Sequence, residues 1–454
     1  MAIFEPDSAD VFADTRAFAC PGLYRIVAAR DGGICRVRIP LGCLSTDQLR
    51  AVASVAEKHG NGIVELTNRA NFQIRGISAS EQELSISELI EAGLGTGERW
   101  ADDTRNVLVN PSAGSDPLDL IDVRPIAGEI LDRLSHDVRF AVLSPKFALQ
   151  IDGGGAMSVA DHAHDIWLLA VDTGEVGVMF KMGLGSPIDY GADAGGTRLI
   201  RPSDCLDVAL AAIEEFIETG VRGLGLTHIR HLLETTTRDE FWHRVEFRIG
   251  RPVFETASGP GRSTAIEVTK PPVGSIAQRE VNLRSVGAAP VLGRIDAVGL
   301  AAVSEVADIF GHGALRLTPW RSFLIPDIEA DRAADALAVL GRAGLVCRDD
   351  NPLSRLVACA GNSGCASGMT DTKTDAQRLA GLLSESAERA TVHVSGCSKS
   401  CAMPGTADVT LVGVADGLYD LYRRDPRDGT RFGAHLAERI DVGQAAKHIL
   451  GAEA

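Results

Sequence analysis

Four cysteines near the carboxyl end of the chain have the types and spacing for metal chemistry. They lie in Cys359-Ala-Gly-Asn-Ser-Gly-Cys365, a C-x5-C, and Cys397-Ser-Lys-Ser-Cys401, a C-x3-C about thirty residues further on. In a reducing compartment four thiolates are a ligand set for a soft metal centre, and a [4Fe–4S] cluster takes four. Both segments are rich in Gly and Ser, so the backbone can fold tightly around a cluster and aim N–H groups at its sulfurs. Zinc is the competing reading, but structural zinc sites favour spacers of about two to four residues, and the longer spacer departs from that habit.

The bulk of the chain bounds what else it does. Its 454 residues suggest roughly three domains, and 45% hydrophobic with 23% charged residues is the composition of a globular protein. A net charge of −16 argues against a nucleic-acid partner, so any anionic ligand must be met by a local group of Arg and Lys. The start, Met1-Ala-Ile-Phe-Glu-Pro-Asp7, lacks the basic and apolar run of a signal peptide, and no apolar stretch has transmembrane length. Nine cysteines, an odd count, fit a cytoplasmic protein with a metal site better than a disulfide framework, leaving Cys20, Cys35, Cys43, Cys205 and Cys347 as free thiols.

The elements that must position these residues include a repeat. Gly60-Asn-Gly-Ile-Val-Glu-Leu-Thr-Asn-Arg-Ala-Asn-Phe-Gln-Ile74 and Gly311-His-Gly-Ala-Leu-Arg-Leu-Thr-Pro-Trp-Arg-Ser-Phe-Leu-Ile325 share Gly, Gly, Leu, Thr, Phe and Ile at a constant offset of 251. Each copy follows a helical stretch, 45–59 and 296–310, the first opening with the capping box Ser45-Thr-Asp-Gln48. Strand candidates precede both helices, at 34–39 and 281–286. The pattern predicts a duplicated chain whose halves pair in space. Two larger α/β segments carry the apolar strand Ile166–Val171, long helices at 203–219 and 226–245, and the four cysteines, while 255–264 has the composition of a linker.

With the cysteine spacing and Leu66-Thr-Asn-Arg-Ala-Asn-Phe-Gln73, the chain resembles the sirohaem-type nitrite and sulfite reductase superfamily over nearly its whole length. Within it, Ala19-Cys-Pro-Gly-Leu23, Cys35-Arg-Val-Arg-Ile-Pro40 and Leu317-Thr-Pro-Trp-Arg321 resemble the precorrin-3B synthase family. The resemblance implies an α+β fold of duplicated ferredoxin-like half-domains paired in space plus two sulfite-reductase-like α/β domains, one carrying a [4Fe–4S] cluster. The expected bounds are 18–95 and 265–342 for the half-domains, 96–254 for the first α/β domain and 343–454 for the cluster domain.

It also implies site residues. Arg36, Arg105 and Lys146 match three of the four basic side chains that surround the anion on the sirohaem iron of the reductases, and the fourth falls on Ala148. Arg69 and Gln73 match residues that hold sirohaem carboxylates, Glu65 stands where a third arginine would be, and Arg321 is a further candidate for substrate carboxylates. Alternation places Arg36 and Arg38 on one sheet face, where both read equally as solvated charges. Cys359, Cys365, Cys397 and Cys401 would hold the cluster. The last of them bridges to the sirohaem iron in the reductases, and Lys399 would moderate the cluster's charge.

The implied activity is the O2-dependent hydroxylation of precorrin-3A with γ-lactone formation, in the aerobic route to cobalamin. A mononuclear non-haem iron is also implied. Asp161-His-Ala-His-Asp165 is the nearest approach to a ligand set for it, although a polar loop is the plainer reading of that segment, as helix-surface residues are of His228 and His231. No dinucleotide or P-loop fingerprint occurs, so NADH would act only indirectly, through a separate electron-donating reductase. Two alternatives stand beside this reading: a sirohaem nitrite or sulfite reductase, against which Ala148 counts, and a non-catalytic tetrapyrrole-binding protein with a structural cluster.

Overall fold

Ser45 and Asp296 start the two matched helices, α1 (Thr46–His59) and α6 (Ala297–Phe310). The Ser45 hydroxyl accepts from the Gln48 N–H while Gln48 returns a bond to the Ser45 N–H, and Asp296 accepts from the Gly299 N–H at 2.8 Å. Leu49, Val52, Val55 and Ala56 of α1 are buried, as are Leu300, Val303, Val306 and Ala307 of α6, at the same offset of 251. The two apolar faces pack on each other, each Leu or Val contributing on the order of 1.5–3 kcal/mol.

The computed structural model describes residues 20–160, 162, 164–174, 176–185, 197–255, 262–266, 268, 270–384, 390–403, 405–425 and 431–451. Asp161, residues 18–19 and most of the expected linker lie outside these.

The first half-domain supplies β1 (Val27–Ala29), β2 (Gly32–Val37), β3 (Cys43–Ser45), β4 (Ile63–Leu66) and β5 (Phe72–Ile77), followed by α2 (Gln82–Glu91). The second supplies β11 (Gly274–Ala277), β12 (Leu283–Ala288), β13 (Arg294–Asp296), β14 (Ala314–Leu317) and β15 (Phe323–Glu329), followed by α7 (Ala333–Arg342). The sheets run β1-β2-β5-β4-β13 and β11-β12-β15-β14-β3, so each half lends its short edge strand to the other. Leu41 and Leu292 turn the chain out of one half towards the other in the left-handed region (φ 56° and 53°). The glycines that follow are required by contact, since a Cβ on Gly42 would sit 2.7 Å from the Leu317 carbonyl oxygen. One core joins both halves.

The two α/β domains share a strand plan of three parallel strands extended by two antiparallel ones. In the first these are β6 (Val107–Val109), β7 (Leu149–Asp152), β8 (Ile166–Asp172), β9 (Val178–Leu184) and β10 (Arg198–Ile200). Helices α3 (Arg124–His136), α4 (Cys205–Phe216) and α5 (Arg238–Ile249) cover one face with their own core. The expected helix over 226–245 is not continuous. Thr237 caps a new helix through a capping box with Glu240, and only Ile229–Leu232 is helical before it, because three consecutive threonines favour a cap over a helix interior.

The cluster domain is built on β16 (Leu356–Ala358), β17 (Val392–Ser395), β18 (Val409–Ala415), β19 (Leu418–Arg423) and β20 (Ala434–Ile440), packed on α8 (Thr372–Leu382) and α9 (Val442–Ile449). Among the described residues no helix is long and apolar enough to cross a membrane.

Candidate functional site

Directly paired residues of an antiparallel sheet share a face, and the register of the first sheet lines up Arg36 on β2, Gln73 on β5, Glu65 on β4 and Arg294 on β13. The opposite face carries Cys35, Val37, Val64, Phe72 and Ile74 into the core. Thus the polar row faces away from the helices, towards the two α/β domains.

At one end of the row the basic residues expected from sequence come together. Arg69, in the β4–β5 turn, donates to the Lys146 carbonyl at 3.1 Å. Arg38 is 1% exposed and lies between Asp102 (2.9 Å) and Asp103 (3.1 Å), with its second amino group on the Pro145 carbonyl. Arg105 pairs with the other oxygen of Asp102 at 3.5 Å. Arg38 is therefore interior, not solvated, and Arg36 is half-buried with its Nε out of solvent. Burial, with Arg38 beside it, pushes the Arg36 guanidinium down to about 10; burial also lowers Arg69, and lowers Arg105 against the pull of Asp102. All three remain cations at neutral pH. Lys146 is exposed at the edge of this wall.

Buried polar atoms without hydrogen-bond partners concentrate here. Among the described residues they include Arg36 Nε, both amide atoms of Gln150 and both ring nitrogens of His164. An unsatisfied buried polar atom costs about 1–3 kcal/mol, so such a concentration marks a place that a polar ligand completes.

At the other end of the row Glu65 meets Arg75 (3.2 Å) and Arg294 (2.7 Å). Burial opposes its ionisation, but Lys373, Arg75 and Arg294 outweigh it and hold the carboxyl at about 2. Lys373 is driven by burial down to about 8, and it donates to the carbonyls of Leu292 and Ala358 (2.6 and 3.0 Å). Arg75 spans to the cluster domain, binding Asp31 on one side and the Gly364 carbonyl on the other (2.8 Å).

The cysteine loops leave the carboxyl ends of β16 and β17. Cys359 Sγ accepts from the N–H groups of Gly396 (3.1 Å) and Gly361 (3.4 Å). The Lys399 ammonium reaches the Ser367 hydroxyl at 2.9 Å, tying the two loops together. Cys401 is raised by burial and then by the proximity of Cys397, Cys365 and Cys359, so all four sulfurs share one neighbourhood. No three His, Cys, Asp or Glu side chains among the described residues converge on a single point. A cubane does not ask for that, since each thiolate takes a different iron around the cluster. The N–H donors to Cys359 and the glycine-rich walls fit such a group. Arg321 (φ 60°) donates to the Ala402 carbonyl, just beyond Cys401, which puts it on the cluster loop.

Several residues carried no sequence signal for their role. Lys373 reads as one more helix cation, and Gln150 is visible only as a polar residue inside the strand Leu149-Gln-Ile-Asp152. His228 is not a helix-surface residue. It precedes its helix and lies with Nδ1 3.1 Å from Asp165, whereas His231 pairs with Glu234 at the surface. His162 sets its ring edge on Trp320 (5.2 Å).

Residues 28–92 and 276–343 match the family model for the nitrite/sulfite reductase ferredoxin-like half domain, and residues 100–253 match that for the nitrite and sulphite reductase 4Fe-4S domain. The chain is 30% identical to a precorrin-3B synthase of Sinorhizobium, over 97% of this chain and 94% of that protein. It is 27% identical to the chloroplastic ferredoxin–nitrite reductase of Zea mays, over 83% of this chain and 69% of that one. The solved structure of the Mycobacterium tuberculosis NirA protein superposes with a TM-score of 0.76 at 24% identity, covering 92% of this chain and 79% of the other, and shows the shared fold. The chain therefore belongs to the nitrite and sulphite reductase family of iron–sulfur oxidoreductases, alongside precorrin-3B synthase.

Proposed function

We propose that the protein is a precorrin-3B synthase of the cytoplasm. It would hydroxylate precorrin-3A with O2 and close a side-chain acetate onto the macrocycle as a γ-lactone. One oxygen atom enters the ring and the other leaves as water, with two electrons drawn from NADH by way of a separate reductase. The observation that carries this reading is the wall of Arg36, Arg69, Arg105 and Lys146 beside unpartnered buried polar groups, on a sheet face whose far end is joined through Arg75 to the domain of the two linked cysteine loops.

A tetrapyrrole rich in acetates and propionates needs fixed guanidinium forks, and Arg36, Arg69 and Arg105 supply them, with Gln73 adjacent to Arg36 across the strand pair. Arg38, locked by Asp102 and Asp103, holds the wall in place. Lys146 catches a carboxylate at the rim. Cys359, Cys365, Cys397 and Cys401 would hold the [4Fe–4S] cluster, which supplies one-electron transfer when bound. No ligand set for a mononuclear iron is assembled among the described residues.

A sirohaem-dependent nitrite reductase is the second reading, favoured by the relatives of that name and by the retained Arg36, Arg105 and Lys146. The visible spectrum of protein purified without oxygen separates the two. A broad iron–sulfur spectrum without sirohaem, and precorrin-3A consumption that stops when O2 is withheld, is the expected result. Stoichiometric sirohaem with nitrite or sulfite turnover would overturn it.

A further inference from the structure

Gln150 and His164 are the most deeply buried polar side chains of the site without partners. Gln150 is 0% exposed, and neither atom of its amide finds a hydrogen bond. Its strand neighbours Leu149 and Ile151 enter the helical core, so its side chain points to the other face of the sheet, as does Ala148 two residues earlier. His164 is 8% exposed and neither ring nitrogen has a partner of good hydrogen-bond geometry, an interaction with the His162 backbone offsetting only part of the effect of burial.

Asp165 fixes His164 beside that strand. Its N–H donates to the Ala148 carbonyl (2.8 Å), and its carboxylate accepts from the Ala148 N–H (3.0 Å), from the Ile229 N–H (2.9 Å) and from His228. From the first repeat the charge of Arg69 reaches His164, and from the second Trp320 packs on His162, so these two histidines lie between the turns of the two repeats. Burial lowers His164 to about 4, so the ring is uncharged at neutral pH.

An amide and a neutral imidazole offer acceptors and donors without charge. They suit a ligand that presents N–H donors, and they give a small oxyanion nothing to neutralise it. We propose that Gln150 and His164 hydrogen-bond the pyrrole N–H groups of an iron-free tetrapyrrole, and so select a metal-free macrocycle over its iron chelate. This rests on the tetrapyrrole reading above and names two further binding residues within it.

The test uses the intact protein with sirohydrochlorin, a carboxylate-rich iron-free macrocycle, and its iron chelate as probes. Gln150→Leu and His164→Leu replace the unpartnered groups by apolar ones of similar bulk. We expect each to melt at the same or a higher temperature than wild type when no ligand is present, because an unpaired buried group has been removed. Each should bind sirohydrochlorin about tenfold more weakly, with His164→Asn recovering part of the loss. A lower melting temperature with unchanged binding would overturn the proposal and leave the two residues a structural role. An imidazole-ligated iron spectrum with the chelate, lost in His164→Leu, would overturn it too. Arg69→Ala separates the two levels of argument. If wild type binds, Arg69→Ala weakens binding and the Leu variants do not, only this proposal fails. If wild type binds neither probe, the tetrapyrrole reading falls and this one with it.

Discussion

The two half-domains are the same structure used for two purposes. Helix ends, edge strands and turns match at an offset of 251, down to the left-handed residues Leu41 and Leu292, and Ala70 and Arg321. The helix-covered faces of the two sheets also match, apolar on apolar. The outward faces do not. Where the first sheet has Glu65, Arg69, Gln73 and Arg75, the second has Arg316, Trp320, Leu324 and Pro326. Glu65 meets Arg294 across its strand pair, while Arg316 meets Cys43 and lines a cavity of about 280 Å³ with Arg124 and Ser115. A duplicated fold thus holds its core constant because packing punishes change on that side. Chemistry is free to diverge on the side where only a ligand or a neighbouring domain is read.

The largest expected effect breaks the contrast at Glu65. Glu65→Leu leaves the buried Arg75 and Lys373 and the half-buried Arg294 as neighbouring like charges and should cost about 3–5 kcal/mol in denaturant unfolding. Arg316→Leu, at the matching position, should stay within about 0.5 kcal/mol. The cores should behave alike: Leu49→Ala and Leu300→Ala should each lose roughly 2–5 kcal/mol, and a clear inequality would show that one repeat carries more of the shared core.

Ligand binding should follow the divergent face. Arg69→Ala is expected to weaken tetrapyrrole binding by about 10- to 100-fold, the worth of a charged hydrogen bond, while Leu324→Ala leaves it unchanged, both read by titration of tetrapyrrole absorbance. The last effect is in acid. Because Glu65 is held at about 2 in the fold, below the ordinary value near 4.3, its contribution is complete above that ordinary value and fades as pH falls towards 2. Stability measured between about pH 5 and pH 2 should fall more steeply for wild type than for Glu65→Gln.

Much of this was legible in the chain because it is local. Cysteine spacing, the capping box at Ser45 and the period of the repeat are short-range patterns, and each lies in the structure where the sequence puts it. Arg36, Arg69, Arg105 and Lys146 also come to one wall, although only the resemblance had linked them. What escaped depends on distance along the chain. The bond between Arg75 and Gly364 joins residues 289 apart, and the contact of His228 with Asp165 spans 63, so neither leaves a local pattern to read. The burial of Arg38 leaves no such pattern either, because alternation assigns a face without saying what covers it.

The exchange of edge strands has a consequence for how the chain is made. Strand β4 obtains its outer neighbour only when residues 294–296 have been synthesised, and β3 must wait for residues 314–316. Until then the amino-terminal half leaves the ribosome with one sheet edge unfinished and one strand without a sheet, the condition that invites pairing with another chain. Maturation of this protein is therefore expected to be slow and late, governed by closure across some 250 residues, and its yield should depend on chaperone supply more than on the stability it finally reaches.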